Sequence, residues 1–143
     1  MKIFKTFAVL SLLVVALAAC GFSSSEEMVS LDGSEWVLVQ IDGEVALPGS
    51  ETTLIFEVDR IHGSGGCNNY FASYTLSEDG GIEFGPAGST MMFCHEPEGV
   101  MDQEVSFLQM LAEVSRVLTD GDQLILEDEA DSPRLVFQPI LVD

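Results

Sequence analysis

Glu98-Gly99-Val100-Met101-Asp102-Gln103-Glu104-Val105-Ser106-Phe107-Leu108-Gln109-Met110-Leu111-Ala112-Glu113-Val114-Ser115 decides the fold, because here the apolar period of the chain changes from strand-like to helical. Met101, Val105, Leu108 and Leu111, with Val100, Phe107 and Val114 beside them, recur at three- and four-residue spacing. Glu98 and Asp102 fall in the first turn, where the positive end of a helix dipole favours acids. One amphipathic helix is expected over residues 98–115, with Met101, Val105, Leu108 and Leu111 along its apolar stripe.

Both flanks of this helix read as short strands. Upstream, residues 35–41 end at Asp42-Gly43, residues 52–58 are β-branched and aromatic, and residues 70–76 run up to Glu78-Asp79-Gly80-Gly81. Residues 82–84 are a short strand and residues 89–93 another, while Ile61, Gly63, Gly65 and Gly66 mark a turn or bulge. Downstream, residues 116–119 and 123–126 flank Asp120-Gly121 as a hairpin, and residues 134–137 form a last strand before Pro139. The expected fold class is mainly β with one α-helix: a small antiparallel, β-barrel-like sheet with the helix packed across it.

The beginning of the chain has a different character. Lys2 and Lys5 precede an apolar run over residues 7–16, and Leu17-Ala18-Ala19-Cys20 has the form of a bacterial lipobox. The run is shorter than the ~20 residues a spanning helix needs. Residues 1–19 therefore read as a lipoprotein signal peptide, Cys20 as the lipidated first residue, residues 20–30 as a polar tether and residues 31–143 as one folded domain. The chain carries a formal net charge of −19, and removing Lys2 and Lys5 with the signal takes it to −21, three arginines against 24 acids. Such a surface repels phosphate backbones, so nucleic acid is not an expected partner. It is also held off anionic headgroups, which leaves the acyl chains on Cys20 to supply the membrane contact. A monomer is expected, with an envelope protein as a possible partner.

Lipidation of Cys20 leaves Cys67 and Cys94, and in an oxidising compartment a disulfide is the default. A zinc set with His62 and His95 has the wrong spacing: no Cys-x-x-Cys clamp is present, and Cys94 and His95, as strand neighbours, would point to opposite faces. His62-Gly63-Ser64-Gly65-Gly66 fails the Gly-x-Ser-x-Gly pattern of serine hydrolases and lacks the Gly-Lys-Ser/Thr of a phosphate loop. Neither a metal nor another cofactor is expected. Asn68, Asn69 and Thr90 are expected to bond local backbone, with Cys67, Asn68 and Thr90 in one structural knot. Glu127-Asp128-Glu129 with Asp131 lacks calcium-loop spacing and reads as a solvated hairpin end. Met91, Met92, Met101 and Met110 read as core filler.

Four segments occur in a telling order: Gly33-Ser34-Glu35-Trp36-Val37-Leu38, Gly63-Ser64-Gly65-Gly66-Cys67-Asn68-Asn69-Tyr70, Ser89-Thr90-Met91-Met92-Phe93-Cys94, and Leu124-Ile125-Leu126. Together they resemble the META domain of HslJ-like bacterial lipoproteins over residues 31–138. The motif residues carrying the resemblance include Trp36, Gly66, Asn68, Asn69, Tyr70, Thr90 and Met92. It implies a β-barrel-like sheet with one helix across it, a broad link to envelope stress and heat induction, and no catalytic residues. The expected function is that of a membrane-anchored, noncatalytic envelope module. Gly21, in place of the aspartate that signals inner-membrane retention in enteric bacteria, favours the periplasmic face of the outer membrane in a Gram-negative cell. Two alternatives make different demands. A small-molecule or lipid carrier needs an apolar cavity lined by residues such as Phe56, Phe84 and Leu108, and a thiol or metal-dependent enzyme needs Cys67, Cys94 and the histidines free to react.

Overall fold

Tight two-residue connections set the register of the sheet. The computed structural model describes residues 30–141; the signal segment, the lipobox and Cys20 lie outside the described residues. β1 (Glu35–Ile41) and β2 (Glu44–Val45) are joined by Asp42-Gly43, both at positive φ (51° and 81°), as a type I′ hairpin requires. β3 (Thr53–Glu57) and β4 (Arg60–Ser64) turn at Val58-Asp59, with Asp59 at φ 62°. Next come β5 (Asn69–Leu76), β6 (Ile82–Phe84), β7 (Gly88–Ser89) and α1 (Val100–Glu113). β8 (Arg116–Asp120) and β9 (Gln123–Glu127) then turn at Gly121-Asp122, and β10 (Pro133–Pro139) follows.

The strands pair antiparallel in the order β6-β5-β4-β3-β1-β10-β9-β8, with β2 on β1 and β7 on β5. The two ends of this order meet. Ile82 N–H donates to Ser115 O at 3.0 Å, Val117 N–H donates to Gly80 O at 2.9 Å, and Gly81 bridges Arg116, so the sheet is a nearly closed barrel. Near-closure leaves little exposed edge, which a small antiparallel sheet otherwise has to protect. Alternation along the strands sends Leu54 and Phe56, Tyr70 and Ala72, and Leu124 and Leu126 into one core. Phe107 of α1 enters that core, its ring 5.3 Å from Tyr70 and 6.5 Å from Phe137. The mainly-β class with one helix is as expected.

Four local expectations change. The helix begins two residues late, because Gly99 takes a left-handed conformation at φ 90° before it. Its inward stripe is Val100, Glu104, Phe107 and Leu111, whereas Val105 is exposed and Met101 and Leu108 are half-buried. Hydropathy counting cannot place a glutamate inside, so the periodicity selects the neighbouring stripe, which shares only Leu111 with the true one. Residues 90–93 are not a strand, since the ladder with β5 ends at Ser89 and, after Thr90 N–H donates to Asn69 O at 3.0 Å, the chain continues as a loop. Gly63 lies inside β4 and not in a turn. A Cβ there would meet Thr53 O at 2.3 Å, so glycine is required by the close approach of β3.

Candidate functional site

Glu104 is the buried charged residue of the helix, 4% exposed, and it aims at the bend over residues 65–68 that links β4 to β5. Its Oε2 accepts the backbone N–H of Cys67 at 2.9 Å and of Asn68 at 2.6 Å, and its Oε1 accepts Asn68 Nδ2–H at 2.6 Å. Successive backbone N–H groups converging on a carboxylate form an anion-binding concavity, filled here by a side chain of the same molecule. Two glycines make room for it. A Cβ on Gly65 would sit 2.7 Å from Glu104 Cγ, and Gly66, at φ 117°, lets the chain turn under Val100. The adjacent helix position works in parallel: Gln103 accepts the N–H of Leu47 and donates to Ser50 Oγ at 2.8 Å. One helical turn thus fastens two separate loops.

Asn68 passes the constraint outward. Its Oδ1 accepts Met92 N–H at 2.6 Å and the Thr90 hydroxyl at 2.8 Å, while Nδ2 also donates to Met92 O at 3.2 Å. A single amide side chain therefore takes both backbone groups of Met92, as a neighbouring strand would. Thr90 Oγ1 accepts Asn69 N–H at 3.2 Å, and the Cys67-Cys94 disulfide, with Cα atoms 5.8 Å apart, closes the far side of the loop. Cys67, Asn68 and Thr90 thus lie together.

The side chains of this tightly held loop face solvent. Met91 is 98% exposed, Met92 55% and Phe93 72%, so Met91 and Met92 are not core filler. The loop is bound through its backbone, which leaves the side chains outside. Phe93 packs edge-on against His95 with ring centroids 4.9 Å apart.

The remaining motif residues have structural partners. Trp36 Nε1–H donates to Ser34 Oγ at 2.7 Å, Asn69 opens β5 on the surface, and buried Tyr70 donates its hydroxyl to Thr53 O at 2.7 Å. Burial pushes the Tyr70 phenol far above its ordinary range. His62 lies on the outside of β4, 3.3 Å from Glu57, whose hydrogen bond from Arg60 holds it below the usual carboxylate range. Cys67 and Cys94 are paired with each other and His95 is turned to Phe93, so these four residues do not form one cluster. Asp128 accepts N–H groups from Ala130 and Ser132 and pairs with Arg134 at 3.2 Å, which makes the acid run a turn closing on β10. Phe56 and Phe84 pack on each other and on Tyr74, so these rings fill the interior and do not line a cavity. A cleft of about 730 Å³ opens at the barrel seam instead, lined by Leu76, Ile82, Val114, Glu83 and Glu113. Glu104 was the participant sequence reasoning missed. The available signal was its place in register with Val100, Phe107 and Leu111.

The Gly-Cys-Asn bend, the Thr-Met-Met-Phe-Cys loop and the helix they share are one constellation, and a family model for the META domain matches residues 29–139. The chain belongs to the META domain family. Among solved structures, this META domain is similar to a protein from Burkholderia xenovorans studied by NMR, with 29% identity and a TM-score of 0.63 over 78% of this chain and 85% of that one. A second NMR structure shares 23% identity at a TM-score of 0.60, over 76% and 90% of the two chains. A DUF4847 family protein from Bacteroides vulgatus, 12% identical at a TM-score of 0.55 over 80% and 97%, shares the fold alone. No curated protein matches the chain.

Proposed function

We propose that this META domain is the folded part of a lipid-anchored, noncatalytic envelope protein, a stress-related binding or structural module. The observation that carries the reading is the Cys67-Cys94 bridge, because structural disulfides belong to oxidising compartments and a lipobox directs a chain to one. The geometry around the bridge supports a display role over chemistry. Glu104 and Asn68 are consumed in holding a loop, and the apolar side chains of Met91, Met92 and Phe93 face solvent there beside exposed His95. Among the described residues no helix is long and apolar enough to cross a membrane, so anchoring in this reading rests on Cys20.

Labelling cells with radioactive palmitate tests it. The parent chain should take up label and sediment with membranes, and Cys20→Ser should do neither. A parent that is secreted unlabelled, or a Cys20→Ser chain that still carries label, would overturn the anchoring.

A further inference from the structure

We infer that residues 91–93 form a preorganised docking tip for a protein partner whose apolar pocket is rimmed by Lys and Arg; this rests on the envelope-lipoprotein reading and names the partner class it lacks. Three consecutive large apolar side chains stand in solvent at 98%, 55% and 72% exposure on a loop whose Met92 backbone is held by Asn68 and whose end is fixed by the Cys67-Cys94 bridge. Ordering a loop on binding costs conformational entropy, and here that cost is already met on folding. Methionine and aromatic residues are also the types enriched in interface cores. Folding does not require these side chains, since Asn68 grips only the backbone of Met92.

Topology places the tip away from the tether. The described chain enters beside Phe56, where Gly33 N–H donates to Phe56 O and Leu31 is buried, near the Val58-Asp59 turn. The tip lies past Ser64 and Asn69 at the other end of β4 and β5. Along β5 the separation is the run from Ser73, paired with Arg60, to Asn69, paired with Ser64, which is about 13 Å at ~3.3 Å per residue. A tether attached at the entry end therefore leaves the tip at the opposite end of the β4–β5 hairpin.

Charge selects the partner. No Lys or Arg occurs between residues 61 and 115, and exposed Glu96 and Glu98 follow the tip after Cys94 and His95, while exposed Glu51 adjoins Ser50, whose carbonyl faces Gly66. An anionic membrane and a second copy of this acidic chain are both repelled, whereas a basic rim around an apolar pocket is attracted.

The test places a photo-crosslinking benzoylphenylalanine at position 91, 93 or 58 of the full chain in its own cells; Val58 is 71% exposed at the entry end and serves as the control. Support requires one protein adduct from 91 and 93 and none from 58. It also requires that the purified partner bind about tenfold more weakly to Met91→Ser and to Phe93→Ser, the loss expected for one buried side chain each. That binding must weaken further with added salt, and both variants must unfold with the parent. Adducts to lipid or to a second copy, equal adducts from 58, no adduct, or binding indifferent to the substitutions would overturn the inference. Palmitate labelling of the same cells separates the failures: an unlabelled parent defeats the lipoprotein reading, and a labelled parent without tip adducts defeats only the docking tip.

Discussion

Glu104→Gln preserves the shape of the helix and removes one acceptor atom from the interior, so it isolates the cradle. Three donors converge on the carboxylate, the N–H groups of Cys67 and Asn68 on Oε2 and Asn68 Nδ2–H on Oε1. A glutamine oxygen can keep the two backbone donors, but its NH2 then faces Asn68 Nδ2. Asn68 cannot flip in response, because its Oδ1 already accepts from Met92 N–H and from Thr90. Asn68 Nδ2–H and the glutamine N–H facing it are both left without an acceptor, at about 1–3 kcal/mol or more together, and the two retained bonds lose their charge assistance. The expected total is roughly 3 kcal/mol, a large part of the 5–15 kcal/mol typical of a domain. In urea, with m near ~1.5 kcal/mol/M, the midpoint should fall by about 2 M. Hydrogen exchange should quicken at the Asn68 and Met92 amides while the β8–β9 hairpin stays protected. A Gln variant within about 0.5 kcal/mol of the parent, with unchanged exchange at Met92, would refute the cradle as the element that holds the loop.

Other perturbations probe separate parts of the same argument. Replacing Cys67 and Cys94 by serine opens a link spanning 27 residues and should cost about 3.5 kcal/mol by loop-closure entropy; parent and variant melting together without reductant would contradict this. The pH dependence of Tyr70 has a definite sign. Below about pH 10 the phenol is neutral in both states, but above it the unfolded chain ionises while burial keeps the folded group protonated, so stability falls as pH rises, by up to ~1.4 kcal/mol per pH unit. Tyr70→Phe should flatten that alkaline limb in denaturation curves taken between about pH 9 and 11, and should cost ~1 kcal/mol at neutral pH through the lost bond to Thr53 O; equal limbs in the two proteins would exclude the assignment. Gly63→Ala drives a Cβ against the Thr53 carbonyl and should destabilise by about 3 kcal/mol or fail to yield folded protein; a neutral effect on the thermal midpoint would show that β3 and β4 can separate.

Much of this architecture is local chemistry, and the sequence by itself determined it. Asp42-Gly43 and Gly121 mark hairpin turns because few other residues adopt positive φ, and alternation in residues such as Leu54 and Phe56 or Leu124 and Leu126 announces half-buried strands. The Cys67-Cys94 pairing follows from counting, once Cys20 is assigned to lipid. Tertiary structure alone decided which stripe of α1 points inward, because a carboxylate belongs inside only where donors await it, and those donors sit 36 and 37 residues away on a glycine-made bend. It also decided the fate of Met91, Met92 and Phe93. Hydropathy assigns such residues to a core, but an asparagine amide captured the Met92 backbone where a strand would have, and a loop gripped there is free to turn its apolar side chains to the solvent.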